Sequence, residues 1–384
     1  MNHVVVHYAE IGLKGGNRPF FENKLADNIR TSLRGTGCRR VYRLYGRLAV
    51  ELTEKSDRKK IREKLEKVPG ISHFSFSTAT DRSIEKIKKA LDAAAKDKKI
   101  ATFAVAASRS DKSFSHTSKQ LNEILGDYLR KKCRWKVDLS EPDATFYVEV
   151  TEKQAFVYTE KIKGLGGLPV TSSGKLVSLI SGGIDSPVAS MEMMKRGCSI
   201  IFVHFHNWTK HQKIVKDKVE RIVKALSEYQ PETRLYMVPF EDLQKKIILK
   251  VPSEYRMIIY RRVMLEMANE IAKKEGALGF VTGDSVGQVA SQTLENLNVI
   301  YQKAAFPVFA PLIGTDKNEI INRANVIGTY ELSILPYSDC CSFLVAKHPV
   351  TRSRPEDVDE IDVRMDISKE IKSALKKAKV KTFV

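Results

Sequence analysis

The chain has 384 residues, 42% of them hydrophobic, with 65 Lys and Arg against 46 Asp and Glu and a formal net charge of +19. This length predicts two or three domains, and no apolar run nears the roughly 18 residues of a membrane span. Met1-Asn2-His3 enters an apolar stretch without a basic leader, so no signal peptide is read and a cytoplasmic protein is expected. Five cysteines are too few, and odd in number, for a disulfide scaffold. The charge is uneven: residues 1–168 hold 34 basic and 21 acidic side chains, residues 169–384 hold 31 and 25. The smaller part carries most of the excess as a patch, which favours a nucleic-acid partner over a merely basic surface.

Val4–His7 reads as a strand and Arg18–Leu33 has helical spacing. Arg40–Leu44 and Leu48–Leu52 read as strands around Tyr45-Gly46-Arg47, Arg58–Val68 as a helix, and Ile71–Ser77 as an alternating strand. This β-α-β-β-α-β order predicts a ferredoxin-like domain over residues 1–76. A second domain, 77–168, follows. Its helices are Ile84–Ala95 and His116–Lys132, and its strands Thr102–Ala107, Val137–Leu139, Phe146–Val150 and Ala155–Tyr158. Gly164-Leu165-Gly166-Gly167 then reads as a hinge.

Residues 169–384 change style. Leu176–Ile180 is a continuous apolar run, as in a strand buried on both faces. Helix Pro187–Lys195, strand Ile200–Phe205, helix Gln212–Ser227, strand Leu235–Val238, helix Tyr255–Lys274 and strand Gly279–Thr282 follow. The alternation predicts an α/β, doubly wound parallel sheet that binds its ligand at the C-terminal strand ends. The last residues read as a short helix bearing Lys and Glu.

Ser181-Gly182-Gly183-Ile184-Asp185-Ser186 lies at such a strand end. Two glycines permit a tight turn with open amides, two serines add hydroxyls, and the next helix aims its N-terminus at the loop. This suits a pyrophosphate group. No Lys-Ser/Thr follows at the spacing of the mononucleotide P-loop.

That segment resembles the PP-loop of the adenylating ATP pyrophosphatases. Three further segments resemble the tRNA 4-thiouridine synthetase family in particular. Thr282-Gly283-Asp284-Ser285-Val286-Gly287-Gln288-Val289-Ala290-Ser291-Gln292-Thr293-Leu294 is similar to its TGE-xx-GQVASQT segment. Pro311-Leu312-Ile313-Gly314-Thr315-Asp316-Lys317-Asn318-Glu319-Ile320 and the Asp339-Cys340-Cys341 run before Pro349-Val350-Thr351 match two more. Ala9-Glu10-Ile11-Gly12-Leu13-Lys14-Gly15-Gly16-Asn17-Arg18 looks like the family's opening, and the middle segment resembles a THUMP RNA-binding domain. The resemblance spans the chain in order.

It implies an enzyme that uses ATP and Mg²⁺ to adenylate O4 of the uridine at position 8 of tRNA. A sulfur nucleophile then displaces AMP to leave 4-thiouridine. Gly182, Gly183, Asp185 and Ser186, with Ser181, would hold the pyrophosphate, and Asp185 is either a metal ligand or a helix N-cap. Leu179, Ile180, His204 and Phe205 would flank the nucleotide, and Arg262, Gly283 and Gln292 would complete the site. Lys317 opens a helix, where it is either a cation for developing phosphate charge or a solvated lysine. Cys340 and Cys341 follow Pro336 in a loop-like stretch that suits a sulfur handler, Cys340 aligning better, whereas Cys38, Cys133 and Cys198 read as packing residues.

The chain runs only a short way past Pro349-Val350-Thr351, without the rhodanese domain that some members carry. The sulfur donor implied is therefore a separate cysteine desulfurase, a free rhodanese or sulfide, and a link to thiamine thiazole synthesis becomes a minor reading. Lys14, Arg18, Arg39, Arg40, Arg43 and Arg47, then Arg109, Lys112, Lys119 and Arg130-Lys131-Lys132, are expected against acceptor-stem phosphates. The layout suits a homodimer that binds a stem on one subunit and modifies it on the other. Rival readings are a 2-thiolating or lysidine-forming tRNA enzyme, a non-catalytic tRNA-binding protein, and a small-molecule amidotransferase-type synthetase. The basic N-terminal part and the lack of a glutaminase segment disfavour the last.

Overall fold

The computed structural model describes residues 1–207, 212–336 and 346–383, without the side chains of 212–216. It divides into two compact units, Met1–Pro169 and Val170–Val384. Among the described residues no helix is long and apolar enough to cross a membrane.

The first unit holds strands β1 (His3–His7), β2 (Cys38–Leu44), β3 (Arg47–Leu52), β4 (His73–Thr80), β5 (Thr102–Arg109), β6 (Lys136–Val137), β7 (Ala144–Val150), β8 (Ala155–Tyr158) and β9 (Ile162–Lys163). Its helices are α1 (Arg18–Ser32), α2 (Arg58–Leu65), α3 (Ile84–Ala95) and α4 (Ser118–Cys133). All nine strands share one sheet in the order β2-β3-β1-β4-β8-β7-β5-β6, with β9 beside β4. The ferredoxin-like and THUMP-like halves are therefore continuous through β4. That strand pairs antiparallel with β1 over residues 73–77 and with β8 over 78–80. Serving both halves is why it runs past the predicted end at Ser77.

Each half has its own core on the helix-bearing side. Val4, Val6, Leu25, Ile29, Val50 and Phe74 meet in one, and Leu91, Phe103, Leu121, Leu125 and Phe146 in the other. Strand alternation sends Val5, Ala49 and Phe156 to the opposite face, where they form a small buried cluster. His7 follows the same alternation. Its ring stacks on His73 at 4.4 Å, and its Nε2 lies 3.1 Å from Glu149, which also pairs with Arg47 and accepts from Tyr158 at 2.5 Å.

The predicted hinge is not a free linker. The Gly164 and Gly166 amides donate to Ser72 and Ile71 carbonyls at 2.9 and 2.7 Å, and the Gly70 amide donates to Gly166 at 2.8 Å. A Cβ on Gly164 would overlap the Ile71 carbonyl. These glycines pack inside the first unit, and the boundary falls after them at Pro169.

The second unit holds β10 (Lys175–Leu179), β11 (Ser199–His206), β12 (Thr233–Pro239), β13 (Phe280–Val281), β14 (Val308–Phe309) and β15 (Lys379–Phe383). Its helices are α5 (Asp185–Lys195), α6 (Gln212–Ser227), α7 (Glu241–Lys250), α8 (Arg256–Glu275), α9 (Leu294–Tyr301), α10 (Lys317–Val326), α11 (Tyr330–Ser333), α12 (Pro355–Met365) and α13 (Ser368–Lys377). The sheet order is β14-β13-β10-β11-β12-β15. β10 to β14 run parallel, as predicted, whereas β15 adds antiparallel to β12. The tail is thus a helix followed by a strand: Lys379-Val380-Lys381-Thr382-Phe383 alternates with period two and does not continue α13. Val177, Val203, Phe205, Val238, Ile259 and Val263 belong to a core on one face of the sheet, while α5 and α6 contact the sheet as well as each other. Order reverses at β10, so the loop after it opens at a topological switch point.

Burial, then the cations Arg47 and Lys161, push His7 from the ordinary 6.5 down to about 4. Burial, His7 and Lys161 do the same to His73. The unfolded chain therefore binds more protons than the folded one between those limits, so stability is lost as pH falls from 6.5 toward 4. Thermal melts across that window should drop more steeply for the wild type than for His7→Gln/His73→Gln, and equal slopes would disprove the assignment.

Candidate active site

The segment between β10 and α5 closes on itself. The Ser186 hydroxyl accepts from the Ser181 amide at 3.0 Å and lies 3.1 Å from the Ser181 hydroxyl, which accepts from the Gly183 amide at 3.2 Å. Both serines hold the loop's shape as well as facing its mouth. Below, Ser190 donates to the Ser186 carbonyl at 2.8 Å. The loop is also tied sideways, because the Ser333 hydroxyl donates to the Gly183 carbonyl at 3.2 Å.

A cavity of about 250 Å³ opens beside it, lined by Leu179, Ser181, Asp185, Ser186, Arg261, Gly283, Asp284 and Gln292 over an apolar floor of Met257, Met264, Leu265 and Ile300. Gly283 explains its wall. A Cβ there would stand 2.7 Å from the Ser186 amide nitrogen and 2.9 Å from the Asp185 carbonyl carbon, so only glycine lets this strand end touch the start of α5.

Asp185 gathers two partners. Its Oδ1 accepts from the Lys317 ammonium at 2.5 Å and its Oδ2 from the Gln288 amide at 2.9 Å. The structure thus joins the start of α5, the start of α10 and the loop after β13 at one carboxylate. Lys317 is not a free surface lysine. Gln288, from the segment 282–294, belongs to this group although its sequence context implies no role for it.

Four predicted residues sit behind the cavity, outside its lining. Ile180 is buried, and its carbonyl lies 2.9 Å from Nδ1 of buried His204. Phe205 is buried against Phe240 at 5.6 Å. Arg262 requires correction. Its side chain is 2% exposed and bonds Asp359 at 2.5 Å, Asp362 at 2.9 Å and the Val299 carbonyl at 2.7 Å, tying α8 to α12. Arg261, one residue earlier, faces the cavity instead. Helical geometry turns neighbours about 100° apart, and the adjacent Arg pair left the choice between them open to a one-residue error.

Gly182 and Gly183 lie in the loop itself. Cys340 and Cys341 lie outside the described residues. Burial pushes the thiols of Cys38, Cys133 and Cys198 up, which disfavours a thiolate at each.

Among the basic residues of the first unit, Arg47 is engaged with Glu149 and only 12% exposed, so it is spent on structure. Arg109 donates to the carbonyls of Lys112 and Phe114 at 2.8 and 2.9 Å. Arg39 and Arg40 share Glu51, Arg43 pairs with Glu22, Arg130 and Lys131 share Asp127, and Lys132 pairs with Asp92. Arg18 donates to the Gly12 carbonyl at 2.7 Å, and Lys14 lies over the Phe21 ring.

Comparison with known proteins follows the same layout. Residues 3–75 match the ThiI ferredoxin-like domain, 81–160 the THUMP domain, and 171–367 the family described as thiamine biosynthesis protein (ThiI). The chain belongs to the ThiI family. Similar proteins include a probable tRNA sulfurtransferase of Thermus thermophilus, 40% identical over 98% of this chain and 92% of that one. Another, from Thermoanaerobacter sp., is 42% identical over 96% of both. A crystal structure of a 4-thiouridine synthetase with RNA and bound ATP superposes with a TM-score of 0.89 at 36% identity, covering 100% of both chains. PH1313 from Pyrococcus horikoshii superposes with a TM-score of 0.68 at 25% identity, over 85% of this chain and 100% of that one.

The Arg262 assignment has a direct check. Arg262→Leu leaves Asp362 with Lys303 as its remaining cation and the Val299 carbonyl without its side-chain donor, and should lower the unfolding free energy by about 3 kcal/mol. Denaturant unfolding reads that loss, while ATP affinity measured on the folded variant should stay within roughly twofold, since Arg262 has no part in the cavity lining.

Proposed function

We propose that this protein is an ATP-dependent tRNA sulfurtransferase that converts the uridine at position 8 to 4-thiouridine. The observation that carries the reading is the convergence of Asp185, Lys317, Gln288 and Gly283 on the PP-loop mouth, in a chain whose fold matches a 4-thiouridine synthetase over its full length. Uracil O4 is a poor leaving group. Attack of O4 on the α-phosphorus of ATP breaks the bond to pyrophosphate and leaves O4 carrying AMP. A sulfur nucleophile then adds at C4, and AMP departs with the C–O electron pair. With sulfide as donor the product also loses one proton.

The chain's own residues divide this work. The PP-loop and the N-terminus of α5 receive the departing pyrophosphate. Lys317 supplies a cation where negative charge grows, released from Asp185 for that purpose. Asp185 fits Mg²⁺, which usually takes one or two protein carboxylates and completes its shell with phosphate oxygens and water. A single carboxylate suits a cation that arrives with the nucleotide. Bound there through Asp185, Mg²⁺ would supply charge neutralisation of the triphosphate. Cys340, with Cys341 beside it, handles sulfur delivered by a separate carrier such as a cysteine desulfurase or a free rhodanese. The basic first unit binds the acceptor-stem region of tRNA, the reaction runs in the cytoplasm, and a homodimer would let one subunit present a stem to the other. The thiamine pathway is a secondary sulfur destination at most.

The test is an assay with unmodified tRNA transcript, Mg²⁺-ATP and sulfide, reading thiouridine absorbance and pyrophosphate release. Asp185→Asn should lower both by about a hundredfold or more. Cys340→Ser should retain turnover with sulfide and lose it with a persulfide carrier. Pyrophosphate release without a thiolated base would keep the adenylating domain and overturn the product.

A further inference from the structure

Asp284 stands one residue beyond the glycine that touches α5, and it is 3% exposed. Both its oxygens are occupied. Oδ2 accepts from Arg261 Nη2 at 2.6 Å and from the Tyr301 hydroxyl at 2.6 Å, and Oδ1 accepts from Gln292 Nε2 at 2.9 Å. Arg261 is held a second time, its Nη1 donating to the Ser291 carbonyl at 3.2 Å. Thr282 lies 3.2 Å from the Tyr301 hydroxyl and closes the network.

An acidic residue at a phosphate-handling mouth invites assignment as a second metal ligand. The bonding pattern argues otherwise. A carboxylate with three donors already in place, sealed from water, has little left to offer a cation that demands near-ideal geometry. What it does offer is orientation. Ionised Asp284 only accepts, so it fixes which end of the Gln292 amide points at it, and it aims the Arg261 fork from α8 toward the cavity. Burial alone would raise its carboxyl, but Arg261 and the hydroxyls of Tyr301 and Thr282 outweigh that and hold it below the ordinary 3.8.

Resting on the adenylating function above, we infer that Asp284 is a positioning residue: it never touches ATP, and it sets ATP affinity by holding Arg261 in the cavity wall. The guanidinium is the group that meets the nucleotide, and the carboxylate acts through it.

The experiment is a double-mutant cycle on the full chain, reading KM and kcat for ATP in tRNA-dependent pyrophosphate release. Asp284→Asn should raise KM about tenfold or more, since it removes one partner of a buried charge pair, and change kcat much less. Arg261→Met should raise KM as much. The double variant should be no worse than Arg261→Met, because residues acting as one unit are not additive. If Asp284→Asn raises KM by the same factor with Met at 261 as with Arg, Asp284 does not act through Arg261 and the inference falls. Should Asp284→Asn fail to fold, Arg261→Lys decides instead: it keeps the charge but cannot bridge Asp284 and Ser291 as a fork, so KM should rise about tenfold, and an unchanged KM overturns the inference. If the wild type binds ATP but releases no pyrophosphate, the proposed function is what fails, and the same cycle is read on the ATP dissociation constant.

Discussion

The catalytic unit is organised by one steric fact: no side chain fits between residue 283 and the first turn of α5. That contact presses the end of β13 against the PP-loop, so two segments about 100 residues apart form one wall. Its consequences run both ways along the chain. Asp284 must turn inward, where it meets α8 and α9 through Arg261 and Tyr301. Gln288, four residues further on, is brought back to Asp185 across the cavity mouth. With a Cβ at 283 the strand end would retreat by several tenths of an ångström or more, and every one of these bonds would lengthen together.

Two carboxylates flank that contact and differ in every physical respect that sets a role. Asp284 is sealed, saturated and bonded to groups that are themselves fixed on helices. Asp185 keeps about a fifth of its side chain exposed, and its partners are the ends of Lys317, 41% exposed, and an exposed Gln288. The Lys317 end of that pair is open to solvent, which screens it and leaves it weaker than a sealed pair such as Arg261–Asp284. In the proposed function it is environment, not residue type, that suits Asp185 to exchange partners with a ligand and Asp284 to keep its neighbours aimed.

The sequence made much of this legible. The PP-loop was readable because a continuous apolar strand, two glycines and a helix start leave few alternatives. Gly283, Gln292 and Lys317 were readable only through resemblance, because nothing in local pattern says that residues 185, 283 and 317 meet. Arg262 shows the limit. Two adjacent arginines on a helix have the same composition and opposite fates, and only the packing of α12 against α8 decides which one is buried. The Gly164–Gly167 stretch failed for a related reason. Glycine marks places where the backbone needs room, and sequence does not say whether the room serves flexibility or, as here, close contact with residues 70–72. The length of β4 was similarly hidden, since a strand shared by two halves obeys the pairing of both.

The same distinction between spent and available charge governs the first unit. Its net charge overstates what reaches a polyanion, for Arg47 is locked to Glu149 and Arg109 is bonded into its own loop. What remains has a recurrent form, two cations on one acid. Arg39 and Arg40 are 71% and 67% exposed over a Glu51 that is 16% exposed, and Arg130 and Lys131 share Asp127. A shared carboxylate restrains both side chains while cancelling only half their charge. Each pair therefore stays net positive toward a phosphate and keeps the counterion release that drives polyanion binding. Recognition of a backbone by shape asks for cations held in place, and the two pairs supply them from different elements of the first unit, Arg39 and Arg40 on strand β2 and Arg130 and Lys131 in the last turn of helix α4.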